Sequence, residues 1–88
     1  MTATRKVLTR PRKSVKWFAD VMEQRLQRND EKGGWETSSD RYLLERLAGE
    51  LIELAQAVST DKDLYVIYEA ADVANFAMMI ADNRTQKV

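Results

Sequence analysis

The sequence has no cysteine, no histidine and a single proline. Without cysteine there can be no disulfide and no thiolate metal site. Without histidine, the Ser-His-Asp and Cys-His mechanisms are excluded, and so is nearly every zinc site. Chemistry is left to carboxylates, amines, guanidinium groups, hydroxyls and amides. Strand-like alternation of useful length is missing too, as are internal repeats and low-complexity tracts, so the fold class is all-α. Its 88 residues allow one small domain, and a chain of this size buries only ~60–65% of the surface its unfolded form exposes. Help for such a core comes from oligomerisation or from a hard metal ion held through oxygen.

Formal charge is zero but unevenly spread. Residues 1–16 hold Arg5, Lys6, Arg10, Arg12, Lys13 and Lys16 and no acid, while the rest of the chain has 8 basic and 14 acidic residues. We read residues 1–13 as a solvated basic arm, with a transit peptide or a nucleic-acid-binding arm as the alternatives. Residues 14–83 form the expected domain, and 84–88 a polar tail. The N-terminal region has no apolar core of a secretion signal, so a cytoplasmic protein is expected. The run Leu64–Ala81 is long enough to cross a bilayer, but Glu69 and Asp72 in its first half would be costly in lipid, and no membrane role is expected.

Three helices are legible. Ser14 is placed to cap a first helix over Val15–Arg28, with Val15, Phe18, Ala19, Met22 and Leu26 at helical spacing and Trp17 and Val21 widening the stripe. Trp17, Phe18, Met78 and Met79 are read as core or interface packing. Asn29–Ser39 breaks the pattern with two glycines and several turn formers. Ser38 or Ser39 caps a second helix, Asp40–Val58, whose Leu43, Leu44, Leu47, Leu51, Leu54 and Val58 form one apolar stripe. A short link with Asp61 or Asp63 as cap leads to a third helix, Leu64–Asp82. It is apolar on nearly every side, which marks it as buried.

Acids stand out against this frame. Glu50 and Glu53 are neighbours on the flank of the second helix, with Cβ atoms roughly 5–6 Å apart. The third helix has a narrow polar stripe of Glu69, Asp72 and Asn75. A buried carboxylate needs a cation or a proton, which here means Lys or Arg partners or a hard divalent metal. Antiparallel packing of the last two helices would bring Glu50, Glu53, Glu69 and Asp72 around one point, an all-oxygen site suited to Mg²⁺ or Mn²⁺. Alternatively Glu50 and Glu53 belong to a solvated face, paired with Arg46 or Lys62.

The segments K-G-G-W at 32–35, L-L-E-R-L-A-G-E-L-I-E-L-A-Q-A-V at 43–58 and E-A-A-D-V-A-N-F-A-M-M-I-A-D at 69–82 resemble the MazG-like nucleotide pyrophosphohydrolases of the all-α NTP pyrophosphatase group. The resemblance covers about residues 15–82. Its signature is E-E-x-x-E followed by E-x-x-D. Glu50 and Glu53 match the last two acids of the first element, and Glu69 and Asp72 match the second. The first acid is Gly49 here, a departure that puts a second metal position in doubt and hints at close helix contact or room for a ligand.

This resemblance implies hydrolysis of a nucleoside triphosphate to a monophosphate and pyrophosphate with Mg²⁺, or Mn²⁺ in its place. It implies Glu50, Glu53, Glu69 and Asp72 as metal ligands, with Glu53 also orienting the attacking water. Lys32 is expected to hold phosphate oxygens and Trp35 to stack on the base or fold onto the core. Asn75 is expected to read base or sugar, or to bond a neighbouring helix. The group builds four-helix-bundle-like sites from associated subunits, which implies a homodimer or a dimer of dimers. Two other classes stand beside the enzyme: an inactive nucleotide- or metal-binding relative, and a helical interaction module whose basic arm binds nucleic acid.

Overall fold

Residues 9–85 are described by a computed structural model. They form three α-helices, α1 (Lys13–Gln27), α2 (Asp40–Val58) and α3 (Asp63–Thr85), with a 3₁₀ turn at Asp30–Lys32 between the first two. Among the described residues there is no strand, as the missing alternation requires. The first eight residues of the basic arm lie outside the described part.

Helix boundaries follow local chemistry. At the start of α2 the Ser39 hydroxyl accepts the Tyr42 N–H at 3.1 Å, and Asp40 sits in the first turn, where the helix dipole favours an acid. The other two starts differ from expectation. Arg12, not Ser14, occupies the N-cap position of α1 and has no side-chain cap. Its backbone is already extended after Pro11 (ψ 161°), and its carbonyl accepts the Lys16 N–H at 3.0 Å, so the helix closes before Ser14 is reached. At α3 the Lys62 carbonyl accepts the Val66 N–H, which makes Asp63 the first helical residue rather than the cap. That helix also runs three residues past Asp82, so Arg84 and Thr85 belong to it rather than to a tail.

A four-residue link makes α2 and α3 an antiparallel hairpin, and an ion pair between Arg84 and Asp40 closes its far end. Both α1 and α2 pack on α3. Within one chain, however, α3 is not a buried helix. Its buried residues are Glu69, Ala71, Asn75 and Asn83, three of them polar. The buried apolar side chains among the described residues are only Val21, Leu43, Ala57 and Ala71. The leucine stripe of α2 divides in two: Leu43, Leu47 and Leu54 turn inward, while Leu44, Leu51 and Val58 are exposed. Trp17 is half exposed and stacks obliquely on Phe18, which rules it out as core of a single chain. Two helices cannot cover every side of a third, and the polar side chains of α3 take the sides that are covered.

The loop between α1 and α2 is fastened to the end of α3. The Trp35 indole N–H donates to Asp82 at 2.8 Å. The buried Asn83 amide donates to the Trp35 carbonyl at 3.0 Å and, more weakly, to that of Ser38 at 3.5 Å. Gly33 turns the chain with φ 88°, a conformation that disfavours other residues. Replacing Asn83 with alanine is expected to leave two carbonyls unpaired at a cost of ~1–3 kcal/mol. A thermal melt should record a drop of several degrees, together with a change in tryptophan fluorescence.

Candidate metal centre

Heptad arithmetic along α2 (43, 47, 50, 54, 57) places Glu50 in the same seam as the inward leucines. Across from it α3 presents Glu69 and Asp72, one turn apart. One carboxylate oxygen from each of Glu50, Glu69 and Asp72 lies within 4.8 Å of the others. Glu69 is only 8% exposed. One oxygen of Glu69 and one of Glu50 are buried with no hydrogen-bond partner. Unpartnered buried carboxylate oxygens are costly, a cost that a bound cation or a proton would relieve. Three converging carboxylates form a hard oxygen donor set, which fits Mg²⁺ or Mn²⁺.

The fourth expected ligand, Glu53, borders this triad without belonging to it. Glu53 is exposed on the flank of α2, with its carboxyl against those of Glu50 and Glu69. Gly49, one residue before Glu50, is exposed, and a Cβ there would meet nothing within 4 Å. The expected close helix contact at Gly49 is therefore not made within the chain, because the residue points away from α3.

Cations reach the cluster from two sides. Arg25 of α1 grips Asp72 with a two-pronged bond, Nε to Oδ1 at 3.0 Å and Nη2 to Oδ2 at 2.9 Å, while its guanidinium lies 4.8 Å from the centre of the Tyr68 ring. Arg46 approaches Glu50 at 3.7 Å and lies over Phe76. The Arg46–Glu50 pair is the one expected if Glu50 lies on an ion-paired face, and Arg25 gives Asp72 the Lys or Arg partner that stands as the alternative to a metal. Which arginine it is cannot be read from the linear sequence, since nothing there says which face of α1 meets Asp72. The Asp72 bond holds the Arg25 guanidinium above its ordinary value. Burial is the main force pushing the Glu50 carboxyl up to about 7, with the neighbouring acids Glu53, Asp72 and Glu69 adding to it. Glu69 is raised as well, first by burial and then by Asp72 and Glu53, with Arg25 opposing.

A cleft of about 450 Å³ opens beside the triad. Glu50, Asp72 and Asn75 lie on one side of it, and Lys32, Gly33, Gly34 and Trp35 of the loop on the other. Lys32, Trp35 and Asn75, expected to meet substrate, are thus brought together with two of the expected ligands. Trp35 is half-buried and its N–H is committed to Asp82, yet its ring lines the cleft. Asn75 does what a buried asparagine does between helices, donating to the Met22 carbonyl at 3.0 Å, while its Oδ1 has no partner. Arg25, Arg28 and Arg46 also line the cleft, giving it a cationic wall that the sequence pattern did not reveal. Set against known protein families, curated proteins and solved structures, the chain matches none of them. The likeness to MazG-like enzymes accordingly rests on the motif residues themselves.

Raised carboxyls make stability depend on pH. The native state holds protons on Glu50 and Glu69 that the unfolded chain, titrating near 4.5, gives up. Their contribution is complete below about pH 4.5 and is lost as pH rises through the folded value, about 7 for Glu50. The metal-free protein should therefore melt several degrees lower at about pH 8 than at about pH 5. Millimolar Mn²⁺ should remove that decline, because a cation favours the ionised carboxylates. Glu50→Gln should flatten the profile without metal, and thermal melts across the range check both.

Proposed function

We propose that the chain is a metal-dependent nucleoside triphosphate pyrophosphohydrolase, converting a (d)NTP and water to a (d)NMP and pyrophosphate. The observation that carries this reading is one cleft lined by Glu50, whose buried oxygen has no partner, and by Asp72, together with Arg25, Arg28, Lys32 and Arg46, with Glu69 completing the triad beside it. Few ligands need both a divalent cation and arginine or lysine; a metal-chelated polyphosphate is the plainest of them. The motif resemblance names the same substrate class.

In this reading Glu50, Glu69 and Asp72 hold Mg²⁺ or Mn²⁺, which when bound neutralises phosphate charge and acidifies water. Glu53, exposed beside Glu50 and Glu69, orients the attacking water and accepts its proton. Lys32 and Arg28 hold phosphate oxygens on the opposite wall. Trp35 offers a ring face to the base, and Asn75 an unpartnered carbonyl oxygen at the cleft floor. A second reading, an inactive relative that only binds metal or nucleotide, is favoured by Gly49 at the first motif position and by the Arg25 grip on Asp72.

Oligomerisation belongs to the same proposal. At about 100° per residue, α2 has a second seam of Leu44, Ala48, Leu51, Ala55 and Val58, all exposed. On α3, Val66, Ala70, Val73, Ala77 and Ile80 repeat the same 4-3-4-3 spacing, half-buried or exposed. Both seams turn away from the cleft. By length and composition α3 would also pass for a bilayer span. Its polar residues Asp72, Asn75, Asp82, Asn83 and Arg84, however, bond α1, α2 and the loop, so we assign the two seams to a second copy of the chain, completing a four-helix bundle in a cytoplasmic homodimer or dimer of dimers.

Two measurements test these claims. Incubation with a panel of NTPs and dNTPs plus Mg²⁺ should release pyrophosphate, and Glu50→Gln, Glu69→Gln and Asp72→Asn should each lower turnover by ~10²-fold or more. Glu53→Gln should lower kcat with little change in metal affinity. Absence of turnover across the panel, with metal binding intact, would select the inactive relative instead. Light scattering at micromolar concentration should report at least a dimer that Leu51→Glu converts to monomer. A stable wild-type monomer would contradict the seams' assignment, as would a chain that stays in solution only with detergent.

A further inference from the structure

Among the described residues Arg25 is the one cation with both prongs on an expected metal ligand, and it also lines the cleft. A guanidinium fork placed side-on to a carboxylate takes the lone pair that each oxygen turns toward it. Asp72 cannot offer those same lone pairs to a metal. The triad is nevertheless assembled, with Glu50 and Glu69 each holding a buried, unpartnered oxygen. While Arg25 is in place, Asp72 meets a metal only through its remaining lone pairs and with its charge already offset.

Arg25 is anchored at its guanidinium. It is held by Asp72 and by the face of Tyr68. Its side chain is 17% exposed, open to the cleft that also contains Arg28 and Lys32. A polyphosphate in that cleft offers the fork the same planar, two-oxygen geometry as a carboxylate, with more charge.

We propose that Arg25 is an exchangeable positioning residue: it neutralises Asp72 while the cleft is empty, then transfers to a phosphate of the incoming polyanion and releases Asp72 to the divalent cation. This inference rests on the pyrophosphohydrolase reading and adds regulation to it. Metal and polyphosphate then bind with positive coupling, because each removes the competitor of the other. The cation is taken up fully only when there is a phosphate to take Arg25. A purely structural α1–α3 clamp has no such coupling.

The test sets the two affinities against each other. Mn²⁺ binding is measured by electron paramagnetic resonance on the intact chain without polyphosphate. Inorganic tripolyphosphate binding is measured by calorimetry at saturating Mn²⁺. Both are done for the wild type, Arg25→Ala and Arg25→Lys, with far-UV circular dichroism as the folding check. Arg25→Ala should bind bare Mn²⁺ roughly tenfold more tightly and tripolyphosphate roughly tenfold more weakly, the scale of a lost charge-assisted hydrogen bond. Arg25→Lys, which keeps the charge but not the fork, should also bind Mn²⁺ more tightly while losing less tripolyphosphate affinity; it decides the matter should the alanine variant fail to fold. In turnover the variants should raise KM more than they lower kcat. If the wild type binds both probes but the substituted chains bind Mn²⁺ no more tightly, or tripolyphosphate no more weakly, the exchange is overturned and the enzyme reading stands. If the wild type binds neither, the metal-site reading itself falls, and the exchange with it.

Discussion

Polar side chains on one apolar helix must find partners, and the rest of this small fold is arranged around that demand. Five polar residues of α3 capture other parts of the chain. Asp72 and Asn75 take α1 through Arg25 and the Met22 carbonyl. Asp82 and Asn83 take the loop through Trp35, and Arg84 takes the start of α2 through Asp40. With four apolar side chains buried among the described residues, hydrophobic burial alone cannot supply this order. Glu69 is the residue left over: it is buried, faces Glu50, and one of its oxygens has no partner in the chain. Glu50, Asn75 and Asn83 each hold an unpartnered buried oxygen as well, but only the two glutamates are acids, and one added cation would satisfy both.

The same economy explains why the site opens onto a cleft. Arg25 and Asn75 bring the end of α1 onto α3, while Trp35 and Asn83 bring the loop back over it. Space remains between these attachments and the flank of α2. Its walls inherit the leftover charges: carboxylates from α2 and α3, cations from α1, the loop and α2. Geometry built to satisfy a helix thereby also sets carboxylates and cations side by side along one cleft, the mixture that the proposed metal-polyphosphate substrate would use.

Much of this was legible in the sequence, for specific reasons. Leucine spacing fixed α2 from Asp40 to Val58, because a continuous apolar stripe behind a serine cap has no competing reading. The juxtaposition of Glu50 with Glu69 and Asp72 followed from a link too short for anything but an antiparallel turn. Features that depend on a choice of face stayed hidden. Which side of α1 meets α3 decides that Arg25 reaches Asp72, and the apolar residues of α1 spread too widely to say. The division of the α2 stripe into an inner and an outer seam was equally unreadable, since leucines facing α3 and leucines facing outward look alike. Glu53 shows the limit of motif spacing: i, i+3 placement brought it beside Glu50 but on the exposed flank, outside the triad.

The buried carboxylates are either a metal site or an unusual ion-paired core. A crystal soaked with Mn²⁺ and a non-hydrolysable nucleotide decides between them most directly. An anomalous-difference peak at coordination distance from Glu50, Glu69 and Asp72, with Arg25 withdrawn from Asp72, is the predicted result. No peak there, with Arg25 still gripping Asp72 at saturating Mn²⁺, would contradict it.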